Sequence, residues 1–153
     1  MTSMNNKKPM GNSDEHYTPK SLFNELGITF DLDVAAPHGG GNAPALKHFC
    51  KCCINGLEAD WNGNIWMNPP YSNPTPWVIK FIAHGSGIAL LPITRGKWWE
   101  YMWAHADGIV PLPHNYKFER PNGEAATTIV FRTALYAIGQ NNAEAIKTLG
   151  YLR

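Results

Sequence analysis

Apolar and polar residues alternate through residues 28–34 (ITFDLDV), a period of two that predicts a β-strand carrying Asp31 or Asp33 to its C-terminal end. Just upstream, Leu22, Phe23 and Leu26 fall at helical spacing. Thr18-Pro19 before them fits a helix start, the hydroxyl as cap and proline in the first turn, and Gly27 fits the stop. Residues 37–42 (PHGGGN) suit no regular element, and the stretch onward to Gly56 has no clear period. Residues 63–68 (GNIWMN) read as a short strand that must end at Pro69-Pro70, because proline has no N–H to give to a ladder. Helical spacing returns at residues 76–83 and 97–104, on either side of an apolar run at 87–93 (GIALLPI) that suits a strand covered on both faces. Residues 108–112 and 127–131 predict further strands, with 116–122 as a turn-bearing connection and 143–149 as a last short helix. Residues 1–13 are polar and aperiodic and read as a tail.

Strands alternating with helices predict an α/β fold with a mostly parallel sheet between helical layers, in one compact domain over residues 14–153. Such sheets bind ligands beyond the C-terminal ends of their strands, so Asp33 and Asn68 are expected to face the same crevice. Composition supports a packed globule: of 153 residues, 44% are hydrophobic and 16% charged, which excludes coiled coil, collagen and wholesale disorder. The formal net charge of +1 supplies no global field toward nucleic acid or an anionic membrane, so a nucleic-acid partner needs a local basic patch. No apolar run approaches the length of a membrane span and the first fifteen residues hold no apolar signal core, which suggests a cytoplasmic protein without membrane association. Cys50, Cys52 and Cys53 are odd in number and crowded, as suits reduced thiols. With His48 they offer metal-type side chains but no second, well-separated ligand pair, so no metal site is predicted.

Asn68-Pro69-Pro70-Tyr71 places an amide, two rigid residues and an aromatic ring at the mouth of the sheet. An exocyclic amine on a heterocycle is a poor nucleophile, because its lone pair is delocalised into the ring, yet it carries two N–H donors. The Asn68 side-chain oxygen and the Pro69 carbonyl are positioned in sequence to accept one each, which directs the lone pair at an electrophilic carbon and stabilises the developing charge. Tyr71 suits stacking on a base swung out of a duplex. The plainer alternative is a diproline turn with Tyr71 as a wall residue.

Taken in order, Asp14-Glu15-His16-Tyr17-Thr18-Pro19, Phe30-Asp31-Leu32-Asp33-Val34-Ala35-Ala36, Gly56-Leu57-Glu58-Ala59-Asp60-Trp61, Trp66-Met67-Asn68-Pro69-Pro70-Tyr71-Ser72 and Leu91-Pro92-Ile93-Thr94 with Trp98 resemble the phage-type DNA N6-adenine methyltransferases. The resemblance covers residues 14 to about 132. It implies a Rossmann-like fold, S-adenosylmethionine as cofactor, and catalysis by Asn68, Pro69, Pro70 and Tyr71. It further implies that Tyr17, Thr18, Pro19, Asp33 and Ala35 hold the cofactor, an aspartate being suited to pair with its ammonium group. Helix capping by Thr18 and a loop-turn role for Asp33 are the structural alternatives. Val34 stands where the family most often has proline after the aspartate, and no GxGxxG-like loop is present. His38-Gly39-Gly40-Gly41 is superficially similar to an esterase oxyanion loop, but the chain has no GxSxG elbow, and the hydrolase reading fails.

Asp60, with Glu58 nearby, precedes the predicted catalytic strand and is assigned to the cofactor's adenine or ribose; the alternative is a solvated loop carboxylate. Phe118 is similar to the aromatic residue that related enzymes set on the second face of the target base, a hairpin core position being the alternative. Lys47, Lys51, Lys80, Arg95, Lys97, Lys117 and Arg120 fall on predicted loops or helix starts, and Arg95 with Lys97 is the pair assigned to the DNA backbone. Six tryptophans, three of them on the helix at 97–104, are expected mostly in the core. The resulting expectation is an adenine-N6 methyltransferase acting on double-stranded DNA by base flipping, with direct methyl transfer and no covalent enzyme intermediate. RNA or a protein amide as substrate, and a non-enzymatic DNA-binding relative, remain the alternatives. A chain this small reads a short site or forms a homodimer. Protection of phage DNA from host restriction is the purpose the resemblance implies.

Overall fold

The computed structural model describes residues 18–50, 53–112 and 132–149. In chain order the described elements are α1 (Lys20–Leu26), β1 (Phe30–Ala36), β2 (Ala45–Cys50), β3 (Ile65–Met67), α2 (Thr75–His84), β4 (Gly87–Pro92), α3 (Lys97–His105), β5 (Gly108–Pro111), β6 (Thr133–Ile138) and α4 (Gln140–Lys147). The strands form one sheet in the order β2-β1-β3-β4-β6-β5. The β1–β2, β1–β3 and β3–β4 ladders are parallel, while β6 runs against both β4 and β5. The sheet is therefore mixed, which corrects the expectation of a mostly parallel one.

Two strands went unread in the sequence. β2 is an edge strand with exposed Leu46 and Lys47, so the alternation that marks a half-buried strand is missing from it. β6 is buried at every position and its antiparallel pairing with β4 is a long-range contact. The strand expected at 127–131 and the connection at 116–122 lie outside the described residues, as do the N-terminal tail and residues 150–153.

Helices cover both faces. Leu22, Phe23 and Leu26 of α1 and Ala143 and Ile146 of α4 pack with Phe30, Trp66, Ile88, Leu90, Leu135 and Ala137. On the other face, Val78 and Phe81 of α2 and Met102 of α3 pack with Leu32, Ile65, Met67, Ala89, Leu91 and Tyr136. At about 1.5–3 kcal/mol for each large apolar side chain fully buried, these two layers supply the main favourable contribution to folding. A polar pin fixes α3: the Trp99 Nε1–H donates to the Tyr136 hydroxyl (2.9 Å), which donates to the Pro92 carbonyl (3.0 Å). Burial pushes the Tyr136 phenol up to about 12. Trp61 and Trp66 are buried, but Trp77, Trp98 and Trp99 are only partly so and Trp103 is 59% exposed, fewer in the core than expected.

Candidate active site

The chain leaves β1 toward β2 on one side and leaves β3, through α2, toward β4 on the other, so the strand order reverses between β1 and β3. Beyond the C-terminal ends of two parallel strands that diverge in this way there is a crevice suited to ligands. A cavity of about 220 Å³ lies there, and Thr18, Asp33, Ala35, Asn68 and Pro70 all line it. Local irregularity shapes its floor. Between Asp33 and Ala36 the β1–β2 register slips, three steps on β1 matching two on β2, and such a bulge re-aims the side chains near it. Along β3, Trp66 packs on the α1 side of the sheet and Ile65 and Met67 on the other, and alternation sends Asn68 to the α1 side.

Asp33 is 2% exposed. Among the described residues its carboxylate accepts one hydrogen bond, from the Ala35 N–H to Oδ1 (3.1 Å), and no cation faces it. Burial pushes the group up from 3.8 to about 7, and the Ala35 N–H only partly opposes that shift. A buried carboxylate with one oxygen that meets no donor among the described residues is costly to hold at a cavity wall and suits an incoming ammonium group. Asp31, the other candidate on that strand, is exposed and takes a different role: its Oδ2 accepts from the Asn64 N–H (2.7 Å) in the turn before β3. A side chain at Gly63 would collide with that carboxylate, and Gly63 also has φ +81°.

Thr18 does not cap α1. The N-cap position is Pro19, without a side-chain capping bond, and the Thr18 hydroxyl instead accepts from Asn68 Nδ2 (3.3 Å). The Thr18 carbonyl accepts from Asn42 Nδ2 (2.9 Å). Pro19 and Pro69 are buried and do not line the cavity. The Tyr71 hydroxyl donates to the Leu90 carbonyl (3.1 Å), which ties the ring to β4; Tyr71 is partly buried against the core layer under α2 and α3 and is not among the residues that line the cavity. Asp60 is exposed and stands apart from the cavity lining, so the assignment of this residue to a ligand gains nothing from the geometry. Arg95 and Lys97 are exposed where β4 leads into α3. Tyr17 and Phe118 lie outside the described residues.

Other lining residues were not singled out in the sequence. Asn42 and Asn55 bring polar groups from irregular loops, and Trp77 brings an indole from α2. The loop that carries Asn55 and Gly56 is held from below by Lys80, whose Nζ donates to the Gly56 (3.2 Å), Leu57 (2.9 Å) and Ala59 carbonyls and lies 5.0 Å from the Trp61 ring centroid. Trp61 Nε1 also donates to the Gly56 carbonyl (2.7 Å). Lys80, counted among the cations available to a phosphate backbone, is thus engaged inside the fold. Gly56 sits so tightly that a Cβ there would collide with the Val34 carbonyl oxygen and crowd the Trp77 ring (2.9 Å). Asn55 makes the local turn its residue type suits, its Oδ1 accepting from the Leu57 N–H (3.0 Å), whereas Gly56 meets groups remote in the chain.

Among the described residues, no group of three or more His, Cys, Asp or Glu stands close enough together to hold a metal ion, and no helix is long and apolar enough to cross a membrane.

Fold and site together define an α/β protein with a ligand cavity at the switch point of its sheet, walled by one buried acid and one strand-end amide. Residues 5–132 match the DNA N-6-adenine-methyltransferase (Dam) family. The chain is also 36% identical, over 126 residues, to a DNA N-6-adenine-methyltransferase of Haemophilus phage HP1, an alignment spanning 75% of this chain and 70% of that relative. No solved structure matches it. The chain belongs to the DNA N-6-adenine-methyltransferase family, and it is an adenine-specific DNA methyltransferase.

Proposed function

We propose that the cavity between the ends of β1 and β3 binds S-adenosylmethionine and that the Asn68-Pro69-Pro70-Tyr71 edge receives an adenine flipped out of double-stranded DNA, on a Rossmann-like methyltransferase fold. The observation that carries this reading is the shared cavity: a buried carboxylate that faces no cation among the described residues and a strand-end amide line the same wall. Asp33 suits the cofactor's ammonium group, and Thr18, Ala35 and Asn42 line the space beside it. When bound, the cofactor supplies a sulfonium-activated methyl group, an electrophile that needs no metal.

The chain's own contribution is to hold the acceptor. With Asn68 Nδ2 engaged by Thr18, Oδ1 is left to accept one amine N–H of the adenine, and the Pro69 carbonyl is suited to the other. Accepting both protons draws electron density onto the amine nitrogen and stabilises the positive charge that builds there. The proline pair keeps the two acceptors from rotating away. No general base of high basicity is required, because the amine becomes acidic as its charge develops and releases its proton to solvent. Tyr71 gives the adenine ring a face to stack on, its hydroxyl held by Leu90. Arg95 and Lys97, exposed beyond β4, suit the flanking phosphates. With little chain available for base-edge contacts, sequence specificity is short or relaxed.

The test is transfer of labelled methyl from S-adenosylmethionine to unmethylated duplex DNA, with the product digested to nucleosides. Wild type is expected to form N6-methyladenine, and Asn68→Ala to lower the rate by about a hundredfold or more while still binding cofactor. An active Asn68→Ala variant would remove this edge from the mechanism. Methylation of a random duplex at a single motif of four or more base pairs would overturn the relaxed specificity.

A further inference from the structure

A primary amide is nearly symmetric in shape but opposite in chemistry at its two ends. If Asn68 presents Oδ1 to the adenine amine, an N–H finds an acceptor; if it presents Nδ2, donor meets donor. At the cavity wall the Nδ2 end is turned to Thr18, whose Oγ1 accepts from it at 3.3 Å. That is the only hydrogen bond of the Thr18 hydroxyl among the described residues, since it caps no helix. Thr18 itself is 5% exposed. Its carbonyl is held by Asn42 Nδ2 (2.9 Å), and two residues on begins α1, anchored in the core by Leu22 and Phe23. The hydroxyl thus sits on a rigid support, fifty residues away in sequence from the amide it holds.

We propose that Thr18 is a positioning residue for methyl transfer, its hydroxyl holding the Asn68 amide with Oδ1 toward the incoming amine, so that losing the hydroxyl slows the chemical step rather than weakening cofactor binding. This rests on the proposed role of Asn68 as acceptor, and it gives Thr18 a task different from the cofactor contact implied by the family resemblance. Without the hydroxyl, the inner end of the amide loses its partner, and the side chain is no longer held in the pose that presents Oδ1 to the amine.

The test compares wild type with Thr18→Val, which keeps the shape, and Thr18→Ser, which keeps the hydroxyl. For each, kcat and KM are measured with duplex DNA at saturating S-adenosylmethionine, cofactor Kd by calorimetry, and the melting temperature alongside. Thr18→Val is expected to lower kcat by about tenfold to a hundredfold, the scale of one unsatisfied buried hydrogen-bonding group. Its cofactor Kd is expected to stay within about twofold of wild type, and Thr18→Ser to recover most of the rate. If valine disturbs the fold, Thr18→Ala removes the same hydroxyl and carries the same expectation. An unchanged kcat with a weakened cofactor Kd would overturn the inference, as would a serine variant as slow as the valine one. A wild type that transfers no methyl group would instead overturn the proposed function, and is distinguished by needing no variant.

Discussion

Asp33 stands opposite Trp66 in the β1–β3 ladder, which sets its carboxylate one strand away from Asn68 and two residues back from it along the cavity wall. The position is unfavourable for a charge: the group is buried and receives a single N–H from the described residues. Asp33→Asn is therefore expected to stabilise the cofactor-free protein at pH 8 while weakening S-adenosylmethionine binding by more than about tenfold. Calorimetric titration and denaturant melts of the two proteins check both halves. A variant that binds cofactor as well as wild type would sink the ammonium-pairing role.

The same carboxyl sets a pH dependence. Its folded value of about 7 exceeds the 3.8 of an unperturbed aspartate, so the folded state holds a proton that the unfolded state has released between those values. Stability from this group is fully present below about pH 4 and is lost as pH rises through 7. Cofactor affinity moves the other way, because only the ionised carboxylate pairs with an ammonium group. Affinity is expected to be flat above pH 7 and to fall toward tenfold per pH unit below it, and Asp33→Asn to abolish that slope. Binding titrations between pH 5.5 and 8.5 decide it.

Lys80 gives three carbonyls of one loop a common donor. Lys80→Met keeps the aliphatic stem over Trp61 but leaves those carbonyls without it, and is expected to cost about 1–3 kcal/mol of stability. The salt dependence of DNA binding should not change, whereas Arg95→Ala should reduce its slope by about one. Equal changes in slope for the two variants would return Lys80 to the phosphate-binding set.

Gly56 offers a steric test of the cavity wall. Its missing Cβ is what lets the loop approach the Val34 carbonyl and the Trp77 ring. Gly56→Ala forces one of them to move and is expected to lower stability by about 1–3 kcal/mol and to weaken cofactor binding. Thermal melts together with titration of the cofactor would show it, and an unperturbed variant would mean that the loop relaxes freely.

Asn142 and Asn64 exchange hydrogen bonds (3.0 and 2.7 Å), with Ser86 donating to Asn64 Oδ1 (2.9 Å) and Asn142 Nδ2 donating also to the Ile138 carbonyl (2.9 Å). This network joins α4 to the turn ahead of β3, away from the cavity. Asn142→Ala is expected to cost about 1–3 kcal/mol in denaturant melts and to leave kcat within about twofold of wild type.

The sequence by itself determined the elements whose periodicity is strong, namely α1, β1, α2, β4 and α3, and the identity of the strand-end amide, because proline after Asn68 can only end a ladder. It also fixed the reading of the family, through the order of short polar motifs along the chain. Tertiary structure decided what depends on partners distant in sequence. β2 looks like loop until β1 pairs with it, and the direction of β6 follows from its ladder with β4, not from its own residues. The same holds at the site. Nothing local to Thr18 distinguishes a helix cap from a partner of Asn68, and nothing local to Lys80 distinguishes a phosphate contact from a donor to three carbonyls, since a side chain's hydrogen bonds are set by whichever groups folding brings within reach.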